Sequence, residues 1–63
     1  MSKKFYIFVE HNGFIMDFVK SGVVLNYTMS LDEAQDFDLI SQAKFIIKTN
    51  GLSSDFCRII EEA

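Results

Sequence analysis

Residues 5–9, FYIFV, force a choice on any small fold that contains them. In a strand, successive side chains point to opposite faces, so Phe5, Ile7 and Val9 share one side while Tyr6 and Phe8 share the other. Both sides are apolar. A chain of 63 residues makes one domain with a single interior. The surplus therefore demands a partner surface, a self-association surface, or unusually complete burial beneath one helix.

The rest of the composition narrows the classes of function. At 49% hydrophobic, with seven Phe, two Tyr and 24% charged residues, the chain is rich enough for a core and does not read as disordered. With no Pro and three Gly it offers no linker, low-complexity segment or internal repeat. The net charge is −3, and Lys3, Lys4, Lys20, Lys44, Lys48 and Arg58 are scattered. Binding to nucleic-acid phosphates or an anionic membrane needs clustered cations, so neither is expected as a partner. Cys57 is the single cysteine, which excludes an internal disulfide framework and favours a reducing cytosol. The apolar run at 5–9 is shorter than a signal-peptide core and ends at Glu10-His11-Asn12. No stretch approaches the roughly 18–20 apolar residues of a membrane span. The expectation is a soluble, cytoplasmic domain.

Residues 4–11 (KFYIFVEH) are dense in aromatic and β-branched side chains, which suit a pleated surface. Asn12-Gly13 follows, a pair that readily supplies the positive φ angles of a type I′ hairpin turn. Alternation resumes over residues 14–20 (FIMDFVK), with Phe14, Met16 and Phe18 on one face. Ser21-Gly22 marks a second turn, and residues 23–28 (VVLNYT) read as a third strand with Leu25 and Tyr27 sharing a face. At Ser30 the period changes. Ser30 and Glu33 have the spacing of a capping box for a short helical turn whose exit Phe37 anchors. Asp38 then offers an N-cap for a longer helix over residues 39–49, where Leu39, Ile40, Ala43, Ile46 and Ile47 form the apolar face. Lys44 and Lys48 complement its C-terminus, and Asn50-Gly51 supplies the C-cap. Residues 55–61 (DFCRIIE) fit either period, and a strand pairing with the sheet is favoured.

No motif carries recognisable chemistry. Asp32, Glu33, Asp36 and Asp38 place four carboxylates within seven residues, an acidic surface that could imitate nucleic-acid phosphates. They lack the alternating ligands and Gly turn of a calcium loop, and helix N-termini favour acidic residues anyway. No metal or other cofactor is expected. His11 is the sole histidine, and Asp17 the nearest partner for a dyad. A solvated turn histidine is the simpler reading. Cys57 lacks a resolving cysteine, and Arg58 beside it would point to the other face of a strand, so a buried inert thiol is expected.

The aromatic residues are more informative. Tyr6, Phe8 and Tyr27 on a sheet, with Phe45 off the apolar helix face, are the candidate partner-binding residues. Aromatic platforms that stack nucleobases sit in basic grooves, which this chain does not supply.

The hairpin FYIFVEHNGFIMDFV and its following strand resemble a recurring type of very small bacteriophage or prophage accessory protein. The likeness continues through Leu31, Ala34, Phe37, Ala43 and Ile46, where a short acidic turn leads into a helix, and covers residues 4–48. It implies a phage-regulatory or host-directed binding role, such as inhibition of a host enzyme. It carries over no catalytic residue, and residues 55–63 lie outside it.

The expected fold is α+β: a three-stranded antiparallel meander, a short helical turn, one main helix packed on the sheet, and a C-terminal strand. The expected function is a non-enzymatic module that acts by occluding a protein partner or by self-assembling, a homodimer being one way to cover the apolar surplus. The alternative is a nucleic-acid-related regulator, acting by acidic mimicry or weak single-strand contact.

Overall fold

A computed structural model describes residues 3–62, and the expected α+β architecture is present. The alternating segments form β1 (Lys4–Val9), β2 (Gly13–Phe18) and β3 (Val24–Thr28). A 3-10 turn (Leu31–Glu33) leads to helix α1 (Ile40–Thr49), and the chain returns as β4 (Cys57–Glu62). All neighbouring strands are antiparallel, in the order β3-β2-β1-β4. The helix covers one face. Ile7 and Val9 of β1, Ile15 of β2 and Cys57 of β4 meet Ala43 and Ile46 of α1 there, with Phe37 closing the end.

The first hairpin forms, but its turn lies earlier than Asn12-Gly13. Val9 opposes Gly13 and Phe8 opposes Phe14, so the loop is Glu10-His11-Asn12. Its positive φ falls on His11, at 72°, and Gly13 has 104° at the start of β2. Gly13 is needed there for space as well as torsion. A Cβ would sit 2.6 Å from the Thr28 carbonyl oxygen and 2.7 Å from Met29 Sδ. The register matters because a two-residue loop would have opposed His11 to Phe14 and put Phe14 on the helix side. The observed loop moves the partner of Phe14 by three residues, from His11 to Phe8, and an odd shift puts its ring on the other face.

Two bulges then break the alternation. Between Ile15 and Asp17 the partner advances by one residue, from Tyr27 to Asn26; between Asp17 and Phe18 it advances by two, from Asn26 to Val24. Each strand thus carries one extra residue. Phe18 turns back to the helix side, where it stacks on Phe37 with centroids 5.8 Å apart, rather than sharing a face with Phe14. Likewise Val24 and Tyr27, not Leu25 and Tyr27, share a face.

A bulge bends its strand. β1 and β2 pair at two positions and then part, and residues 35–37 fill the opening. Gln35 N donates to the Ile15 carbonyl at 3.0 Å, while Phe5 and Phe37 exchange both backbone bonds at 2.9 and 2.8 Å. Phe37 therefore anchors the acidic turn as expected, through backbone as well as ring.

The helix ends differ from the capping expected. Ser30 precedes the 3-10 turn without a side-chain cap bond. Thr28 Oγ1 instead accepts from Ser30 N and donates to Glu33 Oε1, each at 3.1 Å. At α1 the N-cap is Leu39, and Gln42 Oε1 accepts from the backbone of Asp38 at 3.1 Å and Leu39 at 3.2 Å. Asp38 is drawn away by Lys4, 2.7 Å distant. Because the helix begins at Ile40, Leu39 is extended and 58% exposed and Ile40 is 45% exposed, so neither joins the core.

The C-terminal cap follows the sequence. Gly51 has φ 65°, its N–H meets the Lys48 carbonyl, and the Leu52 N–H meets that of Ile47, which is a Schellman motif. Asn50 does more than end the helix. Its amide nitrogen donates to the carbonyls of Ile46 (2.7 Å) and Gly22 (2.8 Å), and its oxygen accepts from Val24 N (2.9 Å). One side chain ties α1 to the β2–β3 turn.

Candidate functional site

The strand register places Lys4, Tyr6 and Phe8 of β1 on the face away from α1, opposite Glu62, Ile60 and Arg58 of β4. Phe14 and Thr28 continue this face across β2 and β3. Tyr6 and Phe8 both pack against Phe14: the Phe8 and Phe14 centroids lie 5.1 Å apart at 73°, those of Tyr6 and Phe14 6.5 Å apart at 75°. Edge-to-face contact of this kind adds about 0.5–1.5 kcal/mol to area burial. The three rings are half-buried, each partly covering another.

The other two candidate aromatics lie elsewhere. Tyr27 opposes Ile15, so it points to the helix side, 37% exposed on an outer strand. Phe45 is 56% exposed on α1 and lies over the β2–β3 turn, where a Cβ on Gly22 would be 3.0 Å from its Cε2. It flanks an open groove of about 520 Å³ with Phe18, Phe37 and Ile46, edged by Lys20, Asp36, Asp38 and Gln42. The four residues thus divide among three places: Tyr6 and Phe8 together, Tyr27 beneath the sheet, Phe45 at the groove. Phe14 was not among the expected binding residues. Its signal was the length of the hairpin loop.

All four acidic residues are exposed, and three of them have partners within the domain. Glu33 is held by Thr28, while Asp36 and Asp38 both engage Lys4, at 3.3 and 2.7 Å. Asp32 is exposed. The Asp38 carboxylate, and Asp36 after it, raise the Lys4 ammonium above the usual lysine range. Among the described residues, no three of His, Cys, Asp and Glu are placed to hold a metal ion. The cations are dispersed: Lys3 meets Glu61 at 2.9 Å, and Arg58 opposes Phe8.

His11 is almost wholly in solvent and approaches Glu10 at 3.9 Å. Asp17 lies beyond the bulge, opposite Asn26. Cys57 is buried on the helix side, and desolvation pushes its thiol pKa up, which suppresses the reactive thiolate. These three side chains are not brought together. No helix among the described residues is long and apolar enough to cross a membrane. What the geometry does offer is contact: an aromatic cluster on an open sheet face, with charged residues at its margin.

Comparison of the chain with protein-family models, curated proteins and solved structures found no match.

Proposed function

We propose that this domain is a non-enzymatic protein–protein interaction module that docks a protein partner on the open face of its sheet. The observation that carries the reading is the edge-to-face cluster of Tyr6, Phe8 and Phe14 on the face α1 leaves uncovered. Interfaces concentrate their binding energy in a few central aromatic anchors surrounded by a polar rim. Here the rim is Lys4, Arg58, Glu62 and Thr28. The likeness to small phage accessory proteins supplies the setting: occlusion of a host protein in a bacterial cytoplasm. Glu33, Asp36 and Asp38, already held by Thr28 and Lys4, support mimicry of nucleic acid less well.

The test is affinity capture from a bacterial lysate with the wild-type chain and with a Tyr6→Ala/Phe8→Ala variant whose far-UV spectrum is native. The wild type should retain a specific protein, and the variant should bind it roughly thirty-fold or more weakly. Equal capture by both would overturn the reading. So would capture of no specific protein by the wild type.

A further inference from the structure

The two outer strands of the sheet present unlike edges. β3 is blunted: the Asn50 side chain occupies Val24 N and the Gly22 carbonyl, and two bulges disturb its register. Bulges and covered backbone are devices that keep an edge from pairing with another chain. β4 has neither. It pairs with β1 at six consecutive positions without a shift.

The direction of its free groups follows from its neighbours. Phe5 spends both backbone groups on Phe37, away from β4, so the even-numbered residues of β1 face β4. Arg58, Ile60 and Glu62 then face β1, while Cys57, Ile59 and Glu61 turn their backbone outward. Cys57 N is taken by the Ser53 carbonyl at 3.0 Å. Ile59 and Glu61 are left at the edge with donors and acceptors aimed outward.

We propose that a second copy of this chain pairs with β4 antiparallel about a two-fold axis at Ile60, merging two sheets into one. In that register Ile59 opposes Glu61 of the second copy in the hydrogen-bonded position, twice over by symmetry. Arg58 opposes Glu62 of the second copy in the closer, non-hydrogen-bonded position, and Ile60 meets Ile60. Other registers are poorer. Centring on Glu61 or Arg58 sets like charges directly opposite, which is destabilising, and centring on Ile59 leaves Arg58 facing Ile60. The pairing would also place the aromatic clusters of both copies on one continuous face. An edge of this length buries less than the roughly 1,200 Å² of a stable interface, so the affinity is micromolar or weaker. This proposal rests on the backbone edge of β4 and not on the aromatic cluster, although Arg58 and Glu62 also border that cluster, and its test reads solution mass where the other reads capture.

The test is solution mass by light scattering across a series from micromolar to millimolar. The wild type should pass from monomer to dimer. Arg58→Glu and Glu62→Arg should each weaken the dimer about tenfold, and an equimolar mixture of the two should recover it, because the opposed charges again complement. Glu61→Pro removes an outward N–H and none that faces β1, and should abolish the dimer while the far-UV spectrum stays native. A wild type that stays monomeric throughout overturns the proposal. So does a dimer indifferent to these substitutions, or a mixture of folded variants that does not recover it.

Discussion

The two faces of β1 use the same kinds of residue to different ends. On the helix side, Ile7 is completely buried and Val9 nearly so, within a cluster drawn from β1, β2, β4, α1 and Phe37. On the other side, Tyr6 and Phe8 are larger and yet only half-buried, with their rings packed edge-to-face against Phe14. The difference teaches that apolar character does not itself assign a residue to a core. What encloses it does. The helix is ten residues long and covers one face; nothing of comparable size lies over the other among the described residues.

The contrast can be broken from either side. Ile7→Ala should cost about 2–5 kcal/mol, because the site is closed and a cavity remains. A domain of this size has roughly 3–9 kcal/mol in total, so urea titration should find this variant largely unfolded. Asn50→Ala loosens the helical layer instead. It leaves Gly22 and Val24 backbone groups without their partner and should cost about 1–3 kcal/mol, again read from the urea midpoint. Phe8→Ala should cost only about 1–2 kcal/mol despite deleting the larger side chain, since half its area is already in water. If it cost as much as Ile7→Ala, the open face would be a second core and the binding role would lose its basis.

The smallest effect lies at the margin. Lys4→Met removes the contacts to Asp36 and Asp38 and should lower the melting temperature slightly at neutral pH. The folded-state pKa of Lys4 is raised, so its contribution is present below the ordinary lysine range and fades as pH climbs through the raised value. Melting curves of the variant and wild type should converge at strongly alkaline pH.

Much of the fold was legible because its signals are local. Period-two runs, the Gly51 cap and the apolar spacing of Ala43 and Ile46 each act within a few residues. The final strand was less certain because Phe56, Ile59 and Ile60 suit both periods, and only pairing with β1 decides it. The site was read less well. Alternation alone puts Tyr6 and Phe8 together, but the face of Tyr27 depends on its pairing with Ile15, which the spacing within residues 23–28 does not reveal. Phe14 was missed because the Asn12-Gly13 signal suggested a shorter loop than the one formed. Its glycine answers to the Thr28 backbone, a contact far off in sequence. The expected caps give way to competitors, one near and one far: neighbouring Thr28 takes Ser30 N and the Glu33 carboxylate, and Lys4, distant in sequence, takes Asp38.

The pairing of β1 with β4 also sets the order in which the molecule can be built. Lys4 opposes Glu62, so partners on adjacent strands are separated by almost the whole chain. During synthesis β1 leaves the ribosome before the three other strands of this sheet, yet its β4 side stays unpaired until residues 57–62 have emerged. Its opening towards β2 likewise waits for residues 35–37. The most apolar strand is the first made and the last enclosed. Contacts so distant in sequence slow folding and prolong the exposure of unpaired strand edges. A nascent chain stalled before Cys57 should therefore be protease-sensitive and prone to capture by chaperones, whereas the emergence of β4 completes the sheet in a single late step.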